Sequence, residues 1–253
     1  LHDALPILIV SKNSKYFEFF EYSSNWRLIK ISKIASAVNK IAILLTRLKI
    51  ITLIKPEVNK YESEEIELKQ VSIIKGLFPS IKYVSGYFQT DSYSSELPVS
   101  RGIFVLNAKK FIDANFKNQN IIFIHVRRGD YIDFTSFGEN VLLPYSYYFK
   151  AIKWFEKNTS NPIFLFFSDE IELVEKRFKD VKNCYFLNNS EFDDFSLMIS
   201  CKGGIISNST FSWWAGYLLS PDSIVIAPKY WLGWKKKIWH PAGIKSNKFK
   251  YLN

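Results

Sequence analysis

The hydrophobic pattern of the chain changes character at about residue 120. Before it, one segment stands out: within Trp26–Leu48 the apolar positions Ile31, Ile34, Ala35, Val38, Ile41, Ala42, Leu45 and Leu48 recur at steps of three and four. That spacing predicts a helix with one buried face. Lys33, Lys40 and Arg47, seven apart, share another face, which is either solvated or a contact for anionic lipid. Residues 61–70, YESEEIELKQ, read as an acidic loop or edge strand, 81–89 as a strand and 91–98 as a polar connection; Asn107–Asn118 is weakly helical.

After residue 120 short apolar runs alternate with helical segments. The runs are Ile121–Val126, Ile163–Phe167, Cys184–Leu187, Gly204–Ser207 and Ile224–Ala227. The helices between them are Tyr145–Lys157, Glu170–Lys179, Asp193–Ser200 and Ser209–Leu219. Brief, uninterrupted apolar strands separated by helices predict an α/β fold with a parallel sheet covered on both faces. Ligands of such sheets bind beyond the carboxyl ends of the strands. The expected division is an N-terminal region, 1–118, and a sharply patterned C-terminal domain, 119–253.

Three strand ends carry candidate chemistry. Ile121–Val126 delivers His125, Arg127, Arg128 and Asp130. Adjacent arginines leaving a strand either pair with surface acids or present guanidinium forks to a phosphate. The tripeptide Arg128-Gly129-Asp130 abuts a buried strand, which argues against an exposed adhesion loop. Ile163–Phe167 delivers Ser168, Asp169 and Glu170; Ser168 and Asp169 read as the cap of the next helix, with bonding of sugar hydroxyls by Asp169 as the alternative. Gly204–Ser207 delivers Asn208, Ser209, Thr210 and Ser212 at a helix start, where unpaired amides favour an anion. The aromatics that follow, Phe211, Trp213, Trp214 and Tyr217, read in part as packing against the sheet. The three ends together describe a pocket for a nucleotide diphosphate.

Composition narrows the partners. The 253 residues carry 34 basic and 24 acidic side chains, a net +10, which favours anionic ligands or surfaces. A hydrophobic share of 47% excludes general disorder. Leu28–Ile54, although apolar, carries Lys30, Lys33, Lys40, Arg47 and Lys49, too many charges for a membrane span. Cys184 and Cys201 have no metal-ligand or disulfide-framework spacing and read as reduced thiols. No P-loop, zincin helix or Gly-x-Ser-x-Gly elbow is present, and no Asp-x-Asp pair that would hold a metal against a pyrophosphate.

The segments HVRRGDY (125–131), SDE (168–170) and SNSTFSWWAGYL (207–218) resemble the α-1,2-fucosyltransferases of glycosyltransferase family 11, and GYFQTDSY (86–93) and IAPKYW (226–231) are similar to that family too. The resemblance implies a GT-B-like architecture and metal-independent, inverting transfer of fucose from GDP-fucose, with no other cofactor. The implied acceptor is the 2-hydroxyl of a terminal galactose or similar sugar in a glycan. It assigns Arg127 and Arg128 to the phosphates, His125 and Asp130 to the donor site, and Asp169 to nucleoside or fucose hydroxyls. Ser168, Asn208, Ser209, Thr210 and Ser212 complete the donor side. The resemblance also implies surface-polysaccharide assembly, in the cytoplasm or peripherally on the inner membrane. The family's opening Gly-Gly-x-Gly-Asn-Gln loop has no counterpart here, so an N-terminal truncation or foreign lead-in is expected. Two rival readings are a nucleotide-sugar-binding chain without activity and a nucleic-acid-binding protein built on KYWLGWKKKIW (229–239). The resemblance gives no reason to expect nucleic acid.

Overall fold

A computed structural model of the chain describes residues 7–10, 27–30, 35–56, 71–84, 103–117, 119–241 and 243–252. The N-terminal region forms a five-stranded sheet from β1 (Ile7–Val10), β2 (Arg27–Lys30), β3 (Ile51–Pro56), β4 (Val71–Ile74) and β5 (Phe78–Val84), with helix α1 (Ala35–Arg47) between β2 and β3. Its order is β2-β1-β5-β3-β4. Only β4 runs antiparallel, against β3.

This region corrects the expected helix over Trp26–Leu48. Residues 27–30 pair with β1, Leu28 opposite Leu8, and the helix begins at Ala35. Four residues, RLIK, satisfy either period, so cross-strand pairing decides their state. The buried face is also rotated. Ala42 and Thr46 are buried, whereas Ile41 and Leu48 face outward. The expected strand at 81–89 starts earlier, at Phe78; residues 85–89 and the segments 61–70 and 91–98 lie outside the described residues.

The second sheet has six strands, all parallel: β6 (Asn120–Val126), β9 (Pro162–Ser168), β10 (Cys184–Phe186), β11 (Gly203–Ile205), β12 (Ile224–Pro228) and β13 (Phe249–Leu252). A two-stranded hairpin, β7 (Thr135–Ser136) and β8 (Glu139–Asn140), follows β6. The helices are α2 (Ile103–Asn115), α3 (Tyr145–Asn158), α4 (Ile171–Phe178), α5 (Glu191–Met198) and α6 (Thr210–Tyr217). Alternation along the strands feeds two cores. Ile121, Phe123, Leu165 and Phe167 pack with Ile112 of α2, Met198 of α5 and Trp213 of α6. Ile122, Ile124, Phe164 and Phe166 pack on the opposite face with Tyr148 and Phe155 of α3 and Phe178 of α4. Burial on both faces is why these strands read as continuous apolar runs.

The sheet order is β10-β9-β6-β11-β12-β13. From β6 the chain steps outward through β9 to β10, then returns to lay β11 on the other side of β6. The order therefore reverses between β6 and β11, and it is in the crevice outside the carboxyl ends at such a point that sheets of this kind bind ligands.

Candidate active site

Register brings the three predicted strand ends side by side. Val126 lies opposite Ser168 across β6 and β9, and Ile124 lies opposite Ile205 across β6 and β11. Arg127, Asp169 and Ser207 consequently leave neighbouring strands at one edge. The chain after β6 turns at once into a 3-10 turn, Gly129–Ile132. Gly129 lets Asp169 approach closely, since a Cβ would sit 2.6 Å from Asp169 Oδ2 and push that carboxylate aside.

The two arginines are held differently. Arg127 bonds Asp130 through Nε at 2.9 Å and NH2 at 2.8 Å, and reaches Asp169 through NH1 at 3.2 Å. Its side chain is 33% exposed. Arg128 is 16% exposed, pairs through Nε with Glu170 at 3.1 Å, and lies over the Tyr145 ring at 5.0 Å. Its backbone N–H donates to Asp169 Oδ1 at 3.0 Å. Asp169 thus ties the first arginine's side chain to the second's main chain. Ser168 Oγ accepts from the Glu170 amide at 3.0 Å, fixing the start of the β9–α4 turn. A shallow depression beside it is lined by Asp169, Glu170, Glu172 and Asn188.

On the β11 side the polar groups face inward. His125 is 5% exposed and its Nδ1 lies 2.8 Å from Ser207 Oγ. Burial, with a smaller contribution from the Arg127 charge, pushes its imidazole pKa down to about 3. Ser212 is fully buried and donates to the Ser207 and Ser209 carbonyls, each at 3.2 Å. Asn208 is buried too; its side chain donates to Val141 O at 2.8 Å and its carbonyl accepts from Tyr131 OH at 2.9 Å. Ser209 stands at the N-cap of α6 without a side-chain capping bond, and Thr210 is half-buried beside it. Among the described residues no group of three His, Cys, Asp or Glu side chains could hold a metal.

A match to the model of glycosyl transferase family 11 runs over residues 25–242. The chain belongs to this family. Within it, the O-antigen biosynthesis glycosyltransferase WbnK of Escherichia coli is 38% identical over 127 residues, 48% of this chain and 42% of that one. An alpha-1,2-colitosyltransferase of Escherichia coli is 33% identical over 187 residues, 68% of this chain and 62% of that one. Galactoside alpha-(1,2)-fucosyltransferase 1 of Rattus norvegicus is 28% identical over 132 residues, 49% of this chain and 34% of that protein. The chain therefore spans between about one third and three fifths of the length of these relatives.

In this glycosyl transferase family 11 chain the residues picked from the sequence divide into two layers. Arg127, Arg128, Asp130, Ser168 and Asp169 meet at the mouth. His125, Asn208 and Ser212 lie beneath it, with Ser209 and Thr210 at the start of α6. Two side chains engage Arg128: Glu170, which the sequence places at this strand end without a role, and Tyr145, whose contact spans 17 residues and leaves no local signal. Absent from the sequence-derived set is Tyr148, whose fully buried hydroxyl has no partner among the described residues. The Lys229–Trp239 segment packs rather than protrudes: Trp231 and Trp239 are buried, and Trp234 Nε1 donates to Val141 O at 3.1 Å. The exposed aromatics that a nucleic-acid surface would need are not presented by these rings.

Proposed function

We propose that this chain belongs to a galactoside α-1,2-fucosyltransferase that takes GDP-fucose as donor. The observation that carries the reading is the double arginine at the point where strand order reverses, beside the start of α6. The diphosphate lies across that crevice, its charge met by guanidinium groups and helix amides. The first sheet belongs to the acceptor-side half, and the second sheet, with α2 packed on it, to the donor-side half of a GT-B-like enzyme.

Exposure and pairing separate the roles of the arginines. Arg127 is the more accessible, and its bond to Asp130 is a surface ion pair of small net worth, about 0–1 kcal/mol. The β-phosphate of the donor replaces Asp130 at this fork. Arg128, fixed by Glu170 and stacked on Tyr145, holds the turn and adds its charge from below. The acceptor hydroxyl attacks the anomeric carbon as the bond to GDP breaks, and charge gathers on the departing β-phosphate, where Arg127 gains most. His125 is buried beneath the mouth with Nδ1 against Ser207 Oγ, out of line for taking the hydroxyl proton. That role falls to a carboxylate of the mouth, Asp130, Asp169 or Glu170.

The decisive experiment is a donor screen with GDP-fucose, GDP-mannose and UDP-galactose, followed by linkage analysis of the product. A product other than a 2-linked fucoside overturns the reading. One second reading is favoured by a specific observation: an alpha-1,2-colitosyltransferase is among the relatives. A colitose donor therefore belongs in the same screen, and its preference over GDP-fucose would establish that alternative.

A further inference from the structure

The exposed apolar side chains of the N-terminal sheet gather among cations. Helix α1 turns Lys40, Leu44, Arg47 and Leu48 to solvent together, because these positions fall within about 100° of its circumference. Leu44 and Leu48 are 54% and 60% exposed. The chain leaves α1 through Lys49 and Ile50, whose carbonyls accept from the Leu77 and Phe78 amides, each at 2.8 Å. Those two bonds strap the β4–β5 turn alongside the end of the helix. The turn presents Leu77 at 75% and Phe78 at 52% exposure, with Lys75 and Lys49 also exposed. Contiguous large apolar side chains of this kind mark an interaction surface rather than ordinary solvent-facing protein.

Charge selects what covers it. The exposed charged side chains on α1, at its exit and on the β4–β5 turn, Lys40, Arg47, Lys49 and Lys75, are all cations. A second copy placed on this face would set cations against cations. Nucleic acid would call for exposed rings or base-reading amides, whereas most of the protruding groups are aliphatic. A leaflet of anionic phospholipid satisfies both halves of the pattern. We propose that α1 and the β4–β5 turn dock on an anionic membrane surface. Leu44, Leu48, Leu77 and Phe78 enter the headgroup–acyl boundary, while Lys40, Arg47, Lys49 and Lys75 meet lipid phosphates. No described helix is long and apolar enough to cross the bilayer, so the contact lies on the surface. The inference is independent of the transfer reaction proposed above.

The test is sedimentation of the full chain with vesicles of phosphatidylcholine alone, or mixed with phosphatidylglycerol. Binding is expected only to the mixed vesicles, and weaker at about 0.5 M than at about 0.1 M salt. Lys40→Glu with Arg47→Glu, and separately Leu77→Ser with Phe78→Ser, should each lower partitioning about tenfold or more. These positions are exposed, so thermal unfolding and GDP binding of both variants should match the parent. Equal binding to the two vesicle types, no binding to either, or unchanged partitioning of the charge variant would overturn the proposal. Self-association that Leu77→Ser with Phe78→Ser abolishes would do the same, assigning the face to a second copy.

Discussion

Adjacent residues of identical type do different work at the mouth of β6. Arg127 holds Asp130 and Asp169 at the more accessible fork, whereas Arg128 is wedged between Glu170 and Tyr145. Arg127→Ala should lower kcat by about a hundred- to thousandfold, the usual cost of losing one donor to a developing oxyanion; turnover within a few-fold of the parent would refute the assignment. Arg128→Lys, which cannot reproduce a stacked planar fork, should weaken GDP binding measured by calorimetry. His125 gives a stability signature instead of a catalytic one. The unfolded chain takes up a proton near the ordinary pKa of 6.5, which the buried imidazole refuses until about pH 3. Unfolding is therefore favoured as pH falls through that window, by up to about 1.4 kcal/mol per pH unit. His125→Gln should flatten this slope in urea midpoints measured between those two values. Tyr148→Phe deletes a buried hydroxyl without a partner among the described residues and should raise stability by about 1 kcal/mol.

At the scale of elements, local rules explain the starts and ends of segments better than they explain which face is buried. Helix α5 begins where Ser190 Oγ accepts from the Asp193 amide at 3.2 Å, so Asp193 sits inside the first turn rather than opening the helix. Ser190→Ala should cost about 1 kcal/mol in chemical denaturation. Strand β11 is built from glycine for contact reasons. A Cβ at Gly204 would lie 2.3 Å from the Phe123 ring, and the central strand cannot move away. Gly204→Val should fail to give soluble protein, while Gly138→Ala, in open space at φ +73, should cost only local backbone strain. The rotated face of α1 follows from the opposite case, in which periodicity offered apolar residues around much of the helix and the sheet beneath chose Ala42 and Thr46.

For the molecule as a whole, the double arginine and the start of α6 come together only because β11 returns to the side of β6. Ligand binding there stabilises the folded chain by mass action, about 2.7 kcal/mol at a hundredfold excess over Kd. GDP should accordingly raise the melting temperature, the rise shrinking with added salt and vanishing in the Arg127→Ala variant. Sequence alone was enough for the central strands, because a run buried on both faces must be apolar throughout, and for the double arginine, the Ser-Asp turn and the Ser-Thr helix start that follow them. It did not reach β13, whose Phe-Lys-Tyr-Leu pattern acquires meaning only by pairing with β12, nor the Glu170–Arg128 and Tyr145 contacts. Side-chain type and spacing are local properties written in each segment. Strand order, partner choice and the side on which a helix rests are set by competition among distant segments for the same surface, and that competition is settled only in the folded chain.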